Sequence, residues 1–209
     1  MNLKKNVACV FNNCRKPEGL LGKIILRGMN FCHSPAHRWG RGHLHLHGNE
    51  RILDVGCGGG SNIAAFLKMS PTVKVVGVDY SEESVRYSLK LNAKAVGEGR
   101  CKVVQGNVLQ LEFGDDEFDI VTAFETIYFW PDIVKSMREV HRVLKPGGIF
   151  LICNETDGTQ ASANRWADII NGMTNYTKES LNSILLQAGF KDIRSDINKK
   201  HFLCVFAKS

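Results

Sequence analysis

The chain has 209 residues and a mass of 23.3 kDa, enough for one hydrophobic core and too little for a multidomain assembly. With 44% hydrophobic and 23% charged residues its composition is that of an ordinary globular protein, which excludes disordered, collagen-like and disulfide-scaffold classes. The formal net charge of +6 sits wholly in the first fifty residues, where eight lysines and arginines face two glutamates; the remainder is balanced at nineteen of each sign.

That leader also holds five of the seven histidines. Residues 1–49 read as a basic, helical cap or lid, and residues 50–209 as the catalytic body. A positive leader attracts an anionic small molecule, a nucleic acid or a membrane surface, and is equally consistent with a solvated basic helix. The apolar run Val7 to Phe11 stops at Asn12 and Asn13, too short for a signal-peptide core, and no stretch approaches the ~20 apolar residues of a membrane span. Export is therefore not expected. Seven cysteines without a CxxC pair argue for a reduced, cytoplasmic protein, with Cys57, Cys101, Cys153 and Cys204 as small buried hydrophobes in strand-like runs. His43, His45 and His47 alternate with Leu44 and Leu46, as on a strand with its leucines inward. No metal site is expected there, because the run leads into the amino end of the first body strand and no nearby carboxylate or cysteine completes a ligand set.

From residue 51 two periodicities alternate. Arg51 to Val55 reads as a strand running into glycines, and Ser61 as the cap of a helix over Asn62 to Met69, stopped by Pro71. Lys74 to Asp79 is a second strand. Ser81 caps a helix with Glu82 and Glu83 in its first turn and an apolar stripe of Val85, Leu89, Ala93 and Val96. Cys101 to Gln105 and Phe118 to Phe124 are the third and fourth strands. Pro131 opens a helix with Ile133, Met137, Val140 and Leu144 inward; Lys145 to Gly148 is a turn, and Ile149 to Cys153 is the fifth strand. Thr177 caps a helix with Leu181, Ile184, Leu185 and Ala188 inward. Asp192–Asp196 and Phe202–Ala207 are two final strands, joined too closely for a crossover and hence antiparallel. Strands spaced by amphipathic helices predict a parallel sheet covered on both faces, with ligands beyond the carboxyl ends of its strands. The segment Glu155 to Tyr176 falls outside this alternation and reads as a lid insertion.

The turn Asp54-Val55-Gly56-Cys57-Gly58-Gly59-Gly60-Ser61 joins the first strand to its helix. Glycines there let the backbone turn tightly and approach a ligand. No Gly-Lys-Ser/Thr follows, so it is not a P-loop, and Ser61 occupies the position of the third dinucleotide glycine. Asp79 ends the second strand, where an acid accepts the hydroxyls of an adenosine ribose and rejects a 2′-phosphate. Tyr80, next in sequence, is placed to flank an adenine.

Four segments together carry a resemblance. Ile52 to Gly60, Val76 to Ser81, Phe118 to Ala123, and Arg142 to Gly148 resemble, in order, the motifs of the class I S-adenosylmethionine-dependent methyltransferases, and most closely the ubiquinone/menaquinone-biosynthesis type. The resemblance covers roughly residues 50–209. It implies a Rossmann-like, doubly wound seven-stranded sheet, mostly parallel with an antiparallel last strand. It also implies S-adenosyl-L-methionine as cofactor and S-adenosyl-L-homocysteine as product. Carried onto this sequence, Gly56, Gly58 and Gly60 pass under the methionine portion with Cys57 in the same loop. Asp54 orders that loop, Asp79 binds the ribose, and Tyr80 and Ser81 border the adenine side. Asn107, where the family often has Asp, and Val108 contact the adenine edge, and Phe124 offers its carbonyl to the ammonium. Trp39 packs beside the cofactor or anchors the leader.

Methyl transfer from a sulfonium is an in-line displacement that mainly requires alignment, with a base only for a protonated, weakly acidic acceptor. The candidates to orient or deprotonate it are His33, His37, Glu125 and Tyr128. Tyr128, Phe129 and Trp130 make an aromatic wall suited to an apolar or planar acceptor, with Phe129 expected to pack onto the core. A small-molecule acceptor, anionic or aromatic, is the leading expectation. A nucleic-acid methyltransferase using the basic leader, or a non-catalytic cofactor-binding regulator, are the alternatives; no Asn/Asp-Pro-Pro-Tyr-like motif supports the first.

Overall fold

The computed structural model describes residues 33–160, 170 and 172–209. Residues 1–32 of the basic leader, and 161–169 and 171 of the expected lid, lie outside the described residues.

The elements in chain order are α1 (Ser34–Arg41), β1 (Arg51–Val55), α2 (Ser61–Met69), β2 (Lys74–Asp79), α3 (Glu82–Leu91), α4 (Ala93–Gly97), β3 (Cys101–Gln105), β4 (Phe118–Phe124), α5 (Ile133–Val143), β5 (Leu144–Asn154), α6 (Lys178–Gln187), β6 (Lys191–Ile197) and β7 (Leu203–Lys208). They form a seven-stranded sheet of order β3-β2-β1-β4-β5-β7-β6. β1 to β5 pair in parallel, while β7 is antiparallel to both β5 and β6. The strand order reverses between β1 and β4, the crevice where an open α/β sheet holds its ligand.

Alternate residues of each central strand feed two cores. Leu53, Val121 and Phe150 point to the face covered by α5 and α6, together with Met137, Val140, Leu181 and Leu185. Ile52, Ile120 and Leu151 point to the opposite face with Ile63 and Phe66 of α2. Both faces are apolar because the crossover helices cover both.

Four local expectations are refined. The cap of α2 is Gly60 in the left-handed region (φ 76°), with Ser61 already helical. The helix expected to run unbroken from Glu82 to Val96 breaks at Asn92, whose amide donates to the carbonyls of Gly60 (3.2 Å) and Ser88 (3.0 Å). The break rotates the last turn, so that Ala95 is buried and Ala93 exposed. Lys145 to Gly148 is a bulge inside one continuous β5, since Phe118 pairs with Leu144 and Ile120 already with Ile149. Residues 43–47 are not a strand, although Leu44 is buried and His45 and His47 are exposed as expected.

α1 docks on the carboxyl end of β5 with Gly40 set directly against the Cys153 side chain. A Cβ added at Gly40 would lie 2.6 Å from Cys153 Sγ and 3.0 Å from the Phe124 ring. Cys153 Sγ also approaches the Ala36 carbonyl at 3.4 Å. The expected outcome for Gly40→Val is a lifted α1. The added bulk costs about 1–3 kcal/mol, so tryptic cleavage at Arg38 and Arg41 should accelerate ~10-fold or more. Limited proteolysis alongside far-ultraviolet circular dichroism checks this; an unchanged digestion rate contradicts it.

Candidate active site

The loop after β1 is held by backbone and carboxylate together. The N–H groups of Gly56 and Cys57 donate to the Val78 carbonyl at 2.8 and 3.1 Å. Gly58 N–H donates to Asp79 Oδ2 at 2.8 Å, and Ser81 N–H to Asp79 Oδ1 at 2.9 Å. One carboxylate at the end of β2 thus fixes the middle of the glycine loop and the start of α3. Two of the loop glycines are required by contact as well as by backbone angle. A Cβ at Gly56 (φ 72°) would fall 2.0 Å from Thr126 Oγ1, and one at Gly60 (φ 76°) would fall 2.2 Å from Ser88 Oγ. Gly58 (φ 50°) is different, because nothing among the described residues lies within 4 Å of the same added atom.

Asp54 sits beneath this loop, 1% exposed. Its Oδ1 accepts from Thr122 Oγ1 at 2.8 Å, and its Oδ2 has no partner. Burial pushes the carboxyl up to about 7, against the Thr122 hydrogen bond and the Arg41 guanidinium. Burial also raises Asp79, opposed by the N–H groups of Ser81 and Gly58. The Cys57 thiol is raised well above its ordinary value by burial and by Asp79, which keeps it protonated and disfavours a nucleophilic role.

Above the loop opens a cavity of about 290 Å³. Of the residues singled out in the sequence, Gly56, Cys57, Gly58, Asp79, Tyr80, Asn107, Val108, Phe124, Glu125, His33 and His37 border it. Five do not. Asp54 and Gly60 support the loop from behind. Ser81 caps α3, its Oγ accepting from Ser84 N–H. Trp39 packs on His43 and Phe202 at ring distances of 4.8 and 6.2 Å, so it anchors the cap to the β6–β7 end of the sheet. Tyr128 lies behind Glu125 and donates to its Oε2 at 3.2 Å. Phe129 borders the cavity instead, together with Trp130, whose indole N–H donates to Thr126 Oγ1 at 3.3 Å. The expected placing of these two rings is therefore exchanged: Phe129 faces the cavity and Tyr128 the core.

An acid–base cluster lies at the ends of β4 and β5. Glu125 holds a left-handed backbone (φ 54°), an uncommon conformation for this residue type. Its Oε1 accepts from Glu155 N–H. His33 Nδ1 lies 2.9 Å from Glu155 Oε2. Burial pushes the Glu125 carboxyl up to about 7, against the pull of His33. Burial alone would lower His33, but Glu155 and Glu125 outweigh it and its pKa is raised. Groups this close titrate as a set. The ligand-capable atoms of His33, Glu125 and Glu155 lie within 4.8 Å of one another, a spacing a divalent cation can also use. His43, by contrast, is engaged by Asp196 and the Trp39 carbonyl at 3.0 Å each.

His37 is the reverse case. Burial and the neighbouring cations His33 and Arg41 push it down to about 3, so it stays neutral and is a poor base. The sequence places Thr126 and Glu155 only within segments expected to build the acceptor pocket, and gives Asn62 and Arg41 no part in the site. Asn62 carried one readable signal, a polar residue in the first turn of the helix after the glycine loop. Glu155 carried another, as the first residue beyond β5.

Gly58→Ala and Gly60→Ala should separate the two kinds of glycine. Both carry the left-handed penalty of about 1–2 kcal/mol. Gly60→Ala adds a clash with Ser88 and should lower stability further, whereas Gly58→Ala should cost little beyond that penalty and chiefly narrow the cavity. Urea denaturation of both variants tests this, and equal losses would contradict it.

A family model described as a methyltransferase domain matches residues 46–202. Demethylmenaquinone methyltransferase of Geobacillus kaustophilus is 37% identical over 114 residues, covering 54% of this chain and 48% of that protein. The 24-methylenesterol C-methyltransferase 2 of Arabidopsis thaliana is 33% identical over 126 residues, covering 59% and 35%. The chain thus spans about half the length, or less, of these two relatives. The crystal structure of a SAM dependent methyltransferase from Aquifex aeolicus shares the fold, with a TM-score of 0.73 at 20% identity, covering 88% of this chain and 96% of that one. On the match across most of its length, the chain belongs to the methyltransferase domain family.

Proposed function

We propose that the protein transfers a methyl group from S-adenosyl-L-methionine to a small-molecule acceptor. The observation that carries this is the pairing of Asp79 with Gly58 at the crevice between β1 and β4. The residues fit the cofactor on two counts. The open space at Gly58 gives its backbone close access to a ligand, and the partnerless, buried Oδ2 of Asp54 beneath the loop suits an ammonium reached through water.

When bound, S-adenosyl-L-methionine supplies a methyl group already activated on a sulfonium, so the chain's task is alignment and proton handling. Asp79 accepts the ribose hydroxyls, with Tyr80, Asn107 and Val108 beside the base. Phe124 and the glycine loop border the methionine portion. Phe129 and Trp130 wall the acceptor. Glu125 takes the acceptor's proton and becomes neutral, held in place by Tyr128 and the Glu155 backbone, and His33, drawn toward its charged form by Glu155, stabilises the negative charge that develops on the acceptor atom until the methyl group arrives.

The size and aromatic walls of the cavity support a small acceptor over a polymer, as do relatives named for demethylmenaquinone and a methylenesterol. Residues 1–32 of the basic leader that raised the nucleic-acid alternative lie outside the described residues. Among those residues no helix is long and apolar enough to cross a membrane.

Asp79→Ala removes a charged acceptor, and at about 1.5–3 kcal/mol per such bond the affinity for S-adenosyl-L-homocysteine should fall ~10- to 100-fold. Asp79→Asn keeps one oxygen and should lie between. Calorimetry reads both, and unchanged affinity removes Asp79 from the site. Glu125 acts ionised and its pKa is raised to about 7, so turnover should climb from pH 6 to 8 and level off above. In Glu125→Gln the climb should vanish with most of the activity. A flat profile in the unsubstituted protein would exclude Glu125 as the base.

A further inference from the structure

Three side chains able to ligate a metal meet where the cap reaches the strand ends. His33 comes from the turn before α1, Glu125 from the end of β4 and Glu155 from the end of β5. One ligand atom of each lies within 4.8 Å of the other two, and His33 Nδ1 is 2.9 Å from Glu155 Oε2. Metal–ligand bonds of about 2.0–2.2 Å put neighbouring ligands of an octahedral ion about 3 Å apart and opposite ones about 4.2 Å apart. The cluster therefore has the dimensions of a single coordination sphere, reached by small side-chain shifts.

The contact between His33 and Glu155 is close without being a hydrogen bond. Nδ1 has no aligned partner among the described residues, although the carboxylate oxygen is well within range. A hydrogen bond demands alignment of the two atoms, whereas a shared ion demands only that both be near one centre. Nδ1 is shielded with the carboxylate against it, as ligand atoms shield one another around an ion. The His33 and Glu155 side chains keep 24% and 32% of their surface exposed, which leaves an ion a way in from solvent. Glu125 is already oriented. Its Oε1 accepts from Glu155 N–H and its Oε2 from Tyr128 Oη–H at 3.2 Å, and each oxygen keeps a further lone pair. Outer hydrogen bonds of this kind position ligating carboxylates. Two carboxylates also balance the charge of a divalent ion. One imidazole with two carboxylates and no thiolate suits Mn²⁺, Fe²⁺, Co²⁺ or Zn²⁺, while Mg²⁺ and Ca²⁺ favour oxygen alone.

We infer that His33, Glu125 and Glu155 form a binding site for one divalent first-row transition-metal ion, which staples the cap to the ends of β4 and β5. His33 and Glu125 border the cavity and Glu155 does not, so the ion is held at the cavity margin. An ion and an acceptor's proton both require the Glu125 carboxylate. They exclude each other, and proton transfer to Glu125 belongs to the ion-free protein. That consequence rests on the methyltransferase reading, whereas the site itself does not.

Mn²⁺ is the probe, because its preference for oxygen and nitrogen keeps it off the seven cysteines. Titrated into chelator-treated protein, it should lose its free-ion paramagnetic resonance signal as one ion binds per chain. His33→Ala and Glu155→Gln should each weaken binding at least ~10-fold, the least that loss of an outer-sphere partner costs at a metal site. His45→Ala, which removes an exposed histidine outside the cluster, should leave binding unchanged. Near-ultraviolet circular dichroism shows whether each variant is folded, and the isosteric Glu155→Gln decides the matter if His33→Ala is not. The staple is read separately. With Mn²⁺ at ten times its Kd, tryptic cleavage at Arg38 and Arg41 should slow ~10-fold, and in Glu155→Gln at the same concentration about twofold or less. Failure to bind millimolar Mn²⁺, undiminished binding in the folded variants, or binding that gives Arg38 and Arg41 no protection overturns the inference. Binding of S-adenosyl-L-homocysteine is measured on the ion-free protein, where its absence would sink the methyltransferase reading and leave the Mn²⁺ results standing.

Discussion

The Asp79 carboxylate is the constraint around which the site is assembled. Its two oxygens take the N–H of Gly58 from one loop and of Ser81 from the next, so β1's glycine turn and the start of α3 share a single anchor. Both donors are backbone groups, and only a fully extended β2 delivers the acid to them. The carboxylate is 8% exposed, and the same burial that raises its pKa makes each of those N–H bonds worth more than it would be in water.

A second tier keeps that anchor rigid. Asn92 leaves the helical path so that its amide can hold the Gly60 carbonyl, which in turn begins α2. Thr126 packs against Gly56 from the β4 side. The glycine loop is therefore gripped at both ends by side chains that only glycine can admit. Local helix propensity was given up at residue 92 to secure it, an exchange of regularity for position of the kind found where sites are built.

The acid–base cluster is built on a different principle. Glu125, Glu155 and His33 come from the end of β4, the end of β5 and the turn before α1, and none constrains another in sequence. Packing of α1 through Gly40 onto Cys153 and Phe124 is what brings the two histidines down over the strand ends. Once there, burial divides them. His33 gains two carboxylate neighbours and is drawn toward the charged form, while His37 is left among cations and apolar rings and is held neutral. Two residues of one type, four apart on one turn of chain, thus acquire opposite capacities.

The alternation of strand and helix, the glycine turn, the acid ending β2 and the antiparallel final pair were all legible in the order of residues. Each is a local pattern, with a period, a cap or a turn that neighbouring residues dictate. The break at Asn92, the bulge at Lys145 to Gly148, the exchange of Phe129 for Tyr128 at the cavity wall and the joining of Glu155 to Glu125 were not legible, because each is decided by a contact between segments distant in sequence. The same holds for the choice between bases. His33 and His37 are equivalent by residue type and by intrinsic pKa, and only the neighbours delivered by the folded chain make one a partner of carboxylates and hold the other neutral.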